Sequence, residues 1–461
     1  MLQRRLRLLQ AVSLNMSMMV GIGPFITIPT IIAAMHGPQA MLGWIVGVFV
    51  ALADGLVWSE LASAFPGSGG TYHYYDAAYG ESRVGRAMKF LFVWQFLFSG
   101  PLEIATGAIG LAQYAGFFFP ALNETVANWG AILPGVDAPV YGSNVAGVLV
   151  MGLVTILAYR RIEVAGRLLV VLWVGMLLTV GSVIVTGLAN FDPKLAFDFP
   201  KGAFSPTMGN AVGLGAALAI AMYDFLGYFQ ICYMGDEVEE PSKTLPRAII
   251  ISVVAVATIY LTMNVSILGV LPWREAMVSE HVATDMMERA IGPGAAAFLT
   301  GMVIWTALAS TFAATLGYSR VPYASAKAGH FPRFFAATHP KGGFPHRSVV
   351  LLGVLGMLAC LADLSTVIAA LLTSRILIQF VGQIATVFWI RTRPEIMGRL
   401  RFRMPLFPLP ALVALVGWLF VFATSSRPVI AYGLGSLILG VAVFFVWDRM
   451  NVGGGAARPE A

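Results

Sequence analysis

Apolar stretches long enough to cross a bilayer follow one another along almost the whole chain. A spanning helix needs about 20 mostly apolar residues, and about twelve such stretches begin near residues 11, 41, 88, 141, 164, 209, 245, 293, 347, 364, 405 and 427. Two of them are interrupted at corresponding places in the two halves, at Gly21-Ile22-Gly23-Pro24-Phe25 and at Phe225-Leu226-Gly227-Tyr228. A membrane helix satisfies its own backbone, so irregular backbone at membrane depth survives only where it is buried or lines a cavity. Paired interruptions are the sequence feature that points to the binding site of a secondary transporter. Spans one to five and six to ten can be laid over each other as an inverted repeat, because five spans reverse the sense of insertion.

This pattern predicts an all-α integral membrane protein of about twelve helices with a 5+5 inverted repeat and broken helices 1 and 6. The chain reads as one polytopic domain over residues 1–461. Within it, 11–188 forms a first five-helix repeat, 209–391 a second, and 405–448 two additional helices. The longest loops, about 119–140, 189–208, 271–292 and 329–346, are too short for a separate globular unit. Ser279 to Ala290 is expected as a short surface helix over the outer face. The tail from Gly453 onward is expected to be disordered.

Composition agrees: of 461 residues 58% are hydrophobic and only 11% charged, with mean hydropathy +0.79. A net charge of +6 raises nucleic acid as a partner, but the placement of the charges answers otherwise. With a cytoplasmic N-terminus, 23 of the 29 basic residues fall inside and only Lys194, Lys201, Arg274, Arg289 and Arg427 outside. That asymmetry is the positive-inside rule. It predicts a cell-membrane (plasma or inner membrane) protein with both termini cytoplasmic, and a lipid bilayer rather than nucleic acid as partner. The basic and apolar start is not read as a cleaved signal, since no small-residue cleavage site follows and the apolar run continues to about residue 35. Cys232 and Cys360 fall in or beside spans, so no disulfide framework is implied.

In the first break Pro24 cannot donate to a preceding turn, and Gly21 and Gly23 permit backbone angles closed to other residues. The freed N–H groups of Ile22, Gly23 and Phe25, at the positive end of a half-helix, suit a carboxylate. A packing motif is the alternative. The second break sets Tyr223, Asp224, Phe225 and Tyr228 around Gly227. Unwound carbonyls there would accept from an ammonium, and a ring would cap it.

Three acids lie within spans, Asp54, Glu103 and Asp224, with Arg375 the basic residue at comparable depth. Such residues are costly and functional by default. Either one acid neutralises Arg375 as a structural pair, or the acids serve a proton or a cationic substrate group. Asp54, Glu103 and Arg375 are therefore candidates for charge or proton coupling, and Glu103 also for substrate contact. Thr71-Tyr72-His73-Tyr74-Tyr75 reads as an interfacial aromatic belt.

These residues resemble the amino acid–polyamine–organocation permease superfamily over nearly the entire chain. Gly21-Ile22-Gly23-Pro24-Phe25 is similar to its first-span Gly-x-Gly-hydrophobic-Phe. Glu60-Leu61-Ala62-Ser63-Ala64-Phe65-Pro66-Gly67-Ser68-Gly69-Gly70-Thr71-Tyr72 resembles the run leaving span two. Glu237-Val238-Glu239-Glu240-Pro241-Ser242-Lys243-Thr244-Leu245-Pro246-Arg247-Ala248-Ile249 resembles the run after span six. The resemblance implies a leucine-transporter-like fold and alternating access. It also implies that Gly21, Ile22 and Gly23 hold an α-carboxylate, that Tyr223 and Leu226 hold the α-amine, and that Tyr223 is the gating aromatic. Phe25, Asp224 and Gly227 complete the expected site. Pro24 departs from the usual Ile or Val, and the lysine that proton-coupled members carry in span five is not found between Val164 and Leu188. Pro24, Asp54 and Glu103 resemble the polyamine-uptake and L-type-like branch.

A secondary transporter of amino acids is thus the leading expectation, with polyamine or cationic amino acid uptake as the alternative. No cofactor or metal is expected, and the coupling ion is H+ or Na+. A nutrient sensor lacks an obvious signalling domain. An enzyme is disfavoured, with no His-Glu-x-x-His and no nucleophile elbow at Ser68.

Overall fold

Broken helices organise the architecture. The structure is a computed structural model that describes residues 4–128, 139–362, 368, 373–398 and 400–453. In the first half run α1 (Leu8–Met19), α2 (Gly23–Met35), α3 (Met41–Ala64), α4 (Thr71–Tyr79), α5 (Arg83–Ala115), α6 (Gly142–Ala158) and α7 (Ile162–Ala189). The second half carries α8 (Met208–Phe225), α9 (Pro241–Leu268), α10 (Val282–Ala290), α11 (Pro293–Tyr318), α12 (Arg320–Lys327), α13 (His346–Ala359) and α14 (Gly382–Arg391). Two more helices follow, α15 (Leu409–Thr424) and α16 (Arg427–Gly453).

Among the described residues seven helical segments are long and apolar enough to cross a membrane, and α1 with α2, bent by 43° at their junction, makes an eighth. α6, α13 and α15 are shorter apolar helices. Together with α5, which carries Pro101 and Glu103, they fill the remaining expected places. The expected start of span ten near 364 and the tail from 454 lie outside the described residues. Large apolar side chains on the outside, among them Leu149, Val185, Val416 and Ile438, stand well exposed. On a chain of this hydropathy they face lipid. α16 is the least covered of those seven, with 17% of its apolar window buried.

Two features depart from the sequence reading. A small antiparallel hairpin, β1 (Thr125–Asn128) with β2 (Pro139–Tyr141), joins spans three and four. The aromatics of Thr71–Tyr75 do not form an interfacial belt: Tyr72, Tyr74 and Tyr75 are buried, with Tyr74 against Trp58 at 5.8 Å. The Tyr75 hydroxyl donates to the Ile378 carbonyl within a π-helical turn, Ile376–Val381, that leads into α14. Such turns displace the regular i→i−4 ladder, so a side-chain donor is needed there. The short helix expected over 279–290 begins at Val282 and packs its buried Val282, Ala283 and Met286 on the bundle.

The two long motifs tie the end of the bundle that carries the N-terminus. Glu60 accepts two bonds from Arg391, both 2.6 Å, and a third from the Met404 N–H. Glu237 is buried and accepts from Arg320 at 2.7 and 2.9 Å. The chain before α1 pairs with the same loop: Arg5 and Leu6 N–H groups donate to the Glu237 carbonyl and Glu239 N–H donates to that of Leu6. Arg7 pairs with Glu239 across the surface at 3.2 Å.

Candidate functional site

Between Met19 and Gly23 the first span loses its helical ladder. The Val20 N–H still reaches the Met16 carbonyl, Gly21 donates to Met19, and Phe25 donates to Ile22. Among the described residues this leaves the N–H groups of Ile22 and Gly23 without an acceptor, at the start of α2 where the helix dipole is positive. The Phe25 N–H, expected in the anion seat, is spent.

The glycines are required for a different reason than the one read from sequence. Neither Gly21 nor Gly23 has a left-handed φ. A Cβ at Gly21 would lie 2.5 Å from Ser310 Oγ, and one at Gly23 would collide with Asp224 Oδ1. They are there for close approach. Gly227 is the conformational glycine, at φ +124°, and any Cβ there would also meet Met18.

Helix α8 ends at Phe225, and span six continues through 3₁₀ turns at Gln230–Tyr233 and Gly235–Glu237 rather than as α-helix. At the break the Tyr223 carbonyl accepts from Leu226 N–H. The Tyr260 hydroxyl bridges the carbonyls of Asp224 (3.0 Å) and Met19 (2.6 Å), tying the two breaks together. The negative end of α8 thus lies beside the positive end of α2.

A cavity with about 380 Å³ of unfilled space lies at this junction, although only about 30 Å³ of it accepts the centre of a water. Its lining includes Gly21, Ile22, Gly23, Glu103, Tyr223, Asp224 and Leu226, all expected from sequence, together with Met18, Met19, Thr106, Gly107, Ser310, Thr311 and Ala314, which were not. Phe25 and Gly227 stand behind it. The Phe25 ring packs edge-on against Tyr114 at 6.5 Å.

The charged residues divide. Arg375 donates to Glu103 Oε2, to Ser99 Oγ at 3.0 Å and to the Tyr318 hydroxyl at 3.0 Å. Tyr318 also donates to Glu103 at 2.5 Å. Glu103 therefore reaches the cavity wall already neutralised. Asp54 lies behind the second break and accepts from the Tyr228 hydroxyl at 2.5 Å; it does not line the cavity. Asp224 accepts from Thr27 at 2.5 Å, and its other oxygen has no partner among the described residues. In α7 the only basic residue is Arg167, near the start of the helix.

A much wider vestibule, about 950 Å³ of which accepts the centre of a water, lies on the far side of Thr27, reaching Tyr141 of β2 and the loop residues Ser279, His281 and Ser425 at the end opposite the N-terminus. One side-chain bond joins a vestibule residue to a cavity residue, Thr27 to Asp224, and within the cavity lining the Tyr223 hydroxyl donates to Thr106 at 2.9 Å. The ring of Tyr223 was expected to close the site; its hydroxyl fastens it as well. Tyr223→Phe is expected to weaken substrate affinity about three- to tenfold, for one lost bond of about 0.5–1.5 kcal/mol. Tyr223→Ala is expected to weaken it about a hundredfold or more, through loss of the ring. Half-saturation constants for uptake into liposomes measure both, and equal effects would remove Tyr223 from the gate.

A cavity between two interrupted membrane helices, with opposed helix ends converging on it and a vestibule on one side, defines a secondary transporter. Residues 6–450 match the amino acid permease family, and the chain belongs to that family. It shares the five-plus-five all-α membrane fold with broken helices 1 and 6. It is 30% identical to an uncharacterised transporter of Mycobacterium tuberculosis over 79% of this chain and 75% of that protein. It is 25% identical to a serine/threonine exchanger of Bacillus subtilis, over 98% and 97% of the two chains. With the mouse Asc-type amino acid transporter 1 it shares 27%, over 96% and 81%. The protein is a membrane transporter of amino acids, not an enzyme.

Proposed function

We propose that the protein is a permease for small neutral α-amino acids, working by alternating access across the cell membrane with both termini cytoplasmic. The observation that carries the choice of neutral over polyamine or cationic substrates is the Glu103–Arg375 pair. A carboxylate already bound to a guanidinium offers little to a distal ammonium, and pulling the pair apart would strand a buried charge. The α-carboxylate sits on the N–H groups of Ile22 and Gly23, and the α-amine on the carbonyl end of α8 around Tyr223 and Leu226. Thr106, Ser310 and Thr311 line the same small cavity, and these hydroxyls suit a short or hydroxylated side chain. The likeness to a serine/threonine exchanger agrees. Residues 11–188 and 209–391 are the two repeats that rock against each other, with 405–448 outside them.

The test is counterflow in liposomes. Serine, threonine and alanine are expected to drive exchange of labelled substrate, while putrescine, spermidine and lysine are not. Counterflow confined to the polyamines and lysine would reverse the assignment.

A further inference from the structure

Asp224 is 2% exposed, lines the substrate cavity and holds one hydrogen bond, from Thr27. The bundle brings no cation to it among the described residues. Against α8 pack α2, α3 and α15. α2 and α15 carry no ionisable side chain. On α3, Asp54 is held by Tyr228 and Glu60 by Arg391. From α9, Tyr260 spends its hydroxyl on two carbonyls. On α8 itself, Tyr223 is bonded to Thr106. Across the cavity Glu103 is bound by Arg375 and Tyr318.

The charge count of the loaded site follows, given the amino acid reading above, on which this step rests. Glu103 and Arg375 cancel. A zwitterion adds an ammonium and a carboxylate, which cancel each other. The carboxylate would sit at Gly23, where the unpartnered Asp224 Oδ1 lies close enough to collide with a Cβ. An ionised Asp224 would leave one uncompensated negative charge beside the substrate's own, in a closed and dry site. Neighbouring carboxylates there do not both stay charged, and an unpaired buried charge is strongly disfavoured.

We propose that Asp224 carries one proton across the membrane with each zwitterionic substrate. A hydronium of the vestibule gives up a proton and leaves as water while an O–H bond forms at Asp224. The loaded site is then neutral, and the same bond breaks to water when the site opens to the other side. Thr27, on the vestibule wall and bonded to Asp224, marks the point of entry.

The experiment uses the full chain in liposomes loaded with a pH-sensitive dye, with serine added outside at equal pH. The wild type is expected to acidify the lumen by about one proton per serine taken up. Serine binding should weaken by up to about tenfold per pH unit on the alkaline side, as a proton linked to binding requires. Asp224→Asn should show binding independent of pH at whatever affinity it retains, and no acidification with any remaining uptake. Asp224→Glu should restore the pH slope, and Glu103→Gln should keep it. Wild-type serine uptake without acidification, uptake that needs sodium, or a slope lost in Glu103→Gln instead of Asp224→Asn would overturn the proposal. Each of those results leaves amino acid transport standing. Absence of counterflow with every amino acid would strike the transport reading itself. If Asp224→Asn does not insert, the wild-type proton count decides.

Discussion

Gly23→Leu is expected to abolish uptake in a protein that still inserts and remains monodisperse in detergent. The added side chain starts from a Cβ that already meets Asp224 Oδ1, so it fills the space in front of the Ile22 and Gly23 N–H groups. Two charge-assisted bonds to a carboxylate are worth about 1.5–3 kcal/mol each. Losing both lowers affinity by about two to four powers of ten. Gly23→Ala should be intermediate, since it meets the end of a side chain that can turn aside. Uptake at the wild-type rate in Gly23→Leu would place the carboxylate elsewhere.

The second large effect belongs to the buried ion pair. Arg375→Gln leaves Glu103 facing the cavity without its cation, and breaking a buried pair costs about 3–5 kcal/mol. The variant should melt well below the wild type in detergent and lose transport of every substrate. Glu103→Gln strands the guanidinium, which keeps Ser99 and Tyr318, and should be less severe. The double variant should recover part of the loss, because no uncompensated charge remains; the size of the recovery is the coupling of the pair. Purely additive losses would show that the two residues act independently. If Glu103→Gln instead lost only lysine or polyamine uptake, the cationic alternative would take first place.

The interruptions were legible because glycine and proline leave a local mark wherever they stand in an apolar run. Their purpose was not: freedom of φ was the natural reading of Gly21 and Gly23, whereas the structure uses them to bring Ser310 and Asp224 close. That demand comes from neighbours more than 200 residues away in the chain. The pairing of Glu103 with Arg375, 272 residues apart, was one of two open readings, since helix packing decides which spans face each other. Thr106, Ser310 and Thr311 escaped notice because each also bonds a carbonyl in its own helix, as hydroxyls in membrane helices commonly do. The tyrosines after Gly70 carried the signature of an interface and went inside, where Trp58 receives Tyr74 and the Ile378 carbonyl receives Tyr75.

The backbone pairing of Arg5 and Leu6 with Glu237 and Glu239 makes the start of the chain a removable seam. Its bonds are backbone N–H groups and carbonyls at the edge of the bundle, so parting them exchanges protein partners for water rather than leaving groups orphaned. The Arg7–Glu239 contact beside it is exposed and weakens with salt, whereas the enclosed Glu237–Arg320 contact does not. A peptide or antibody fragment that captured residues 4–7 would therefore compete with the bundle for its own fastening. It would bias the transporter toward the state open at that end without touching the cavity.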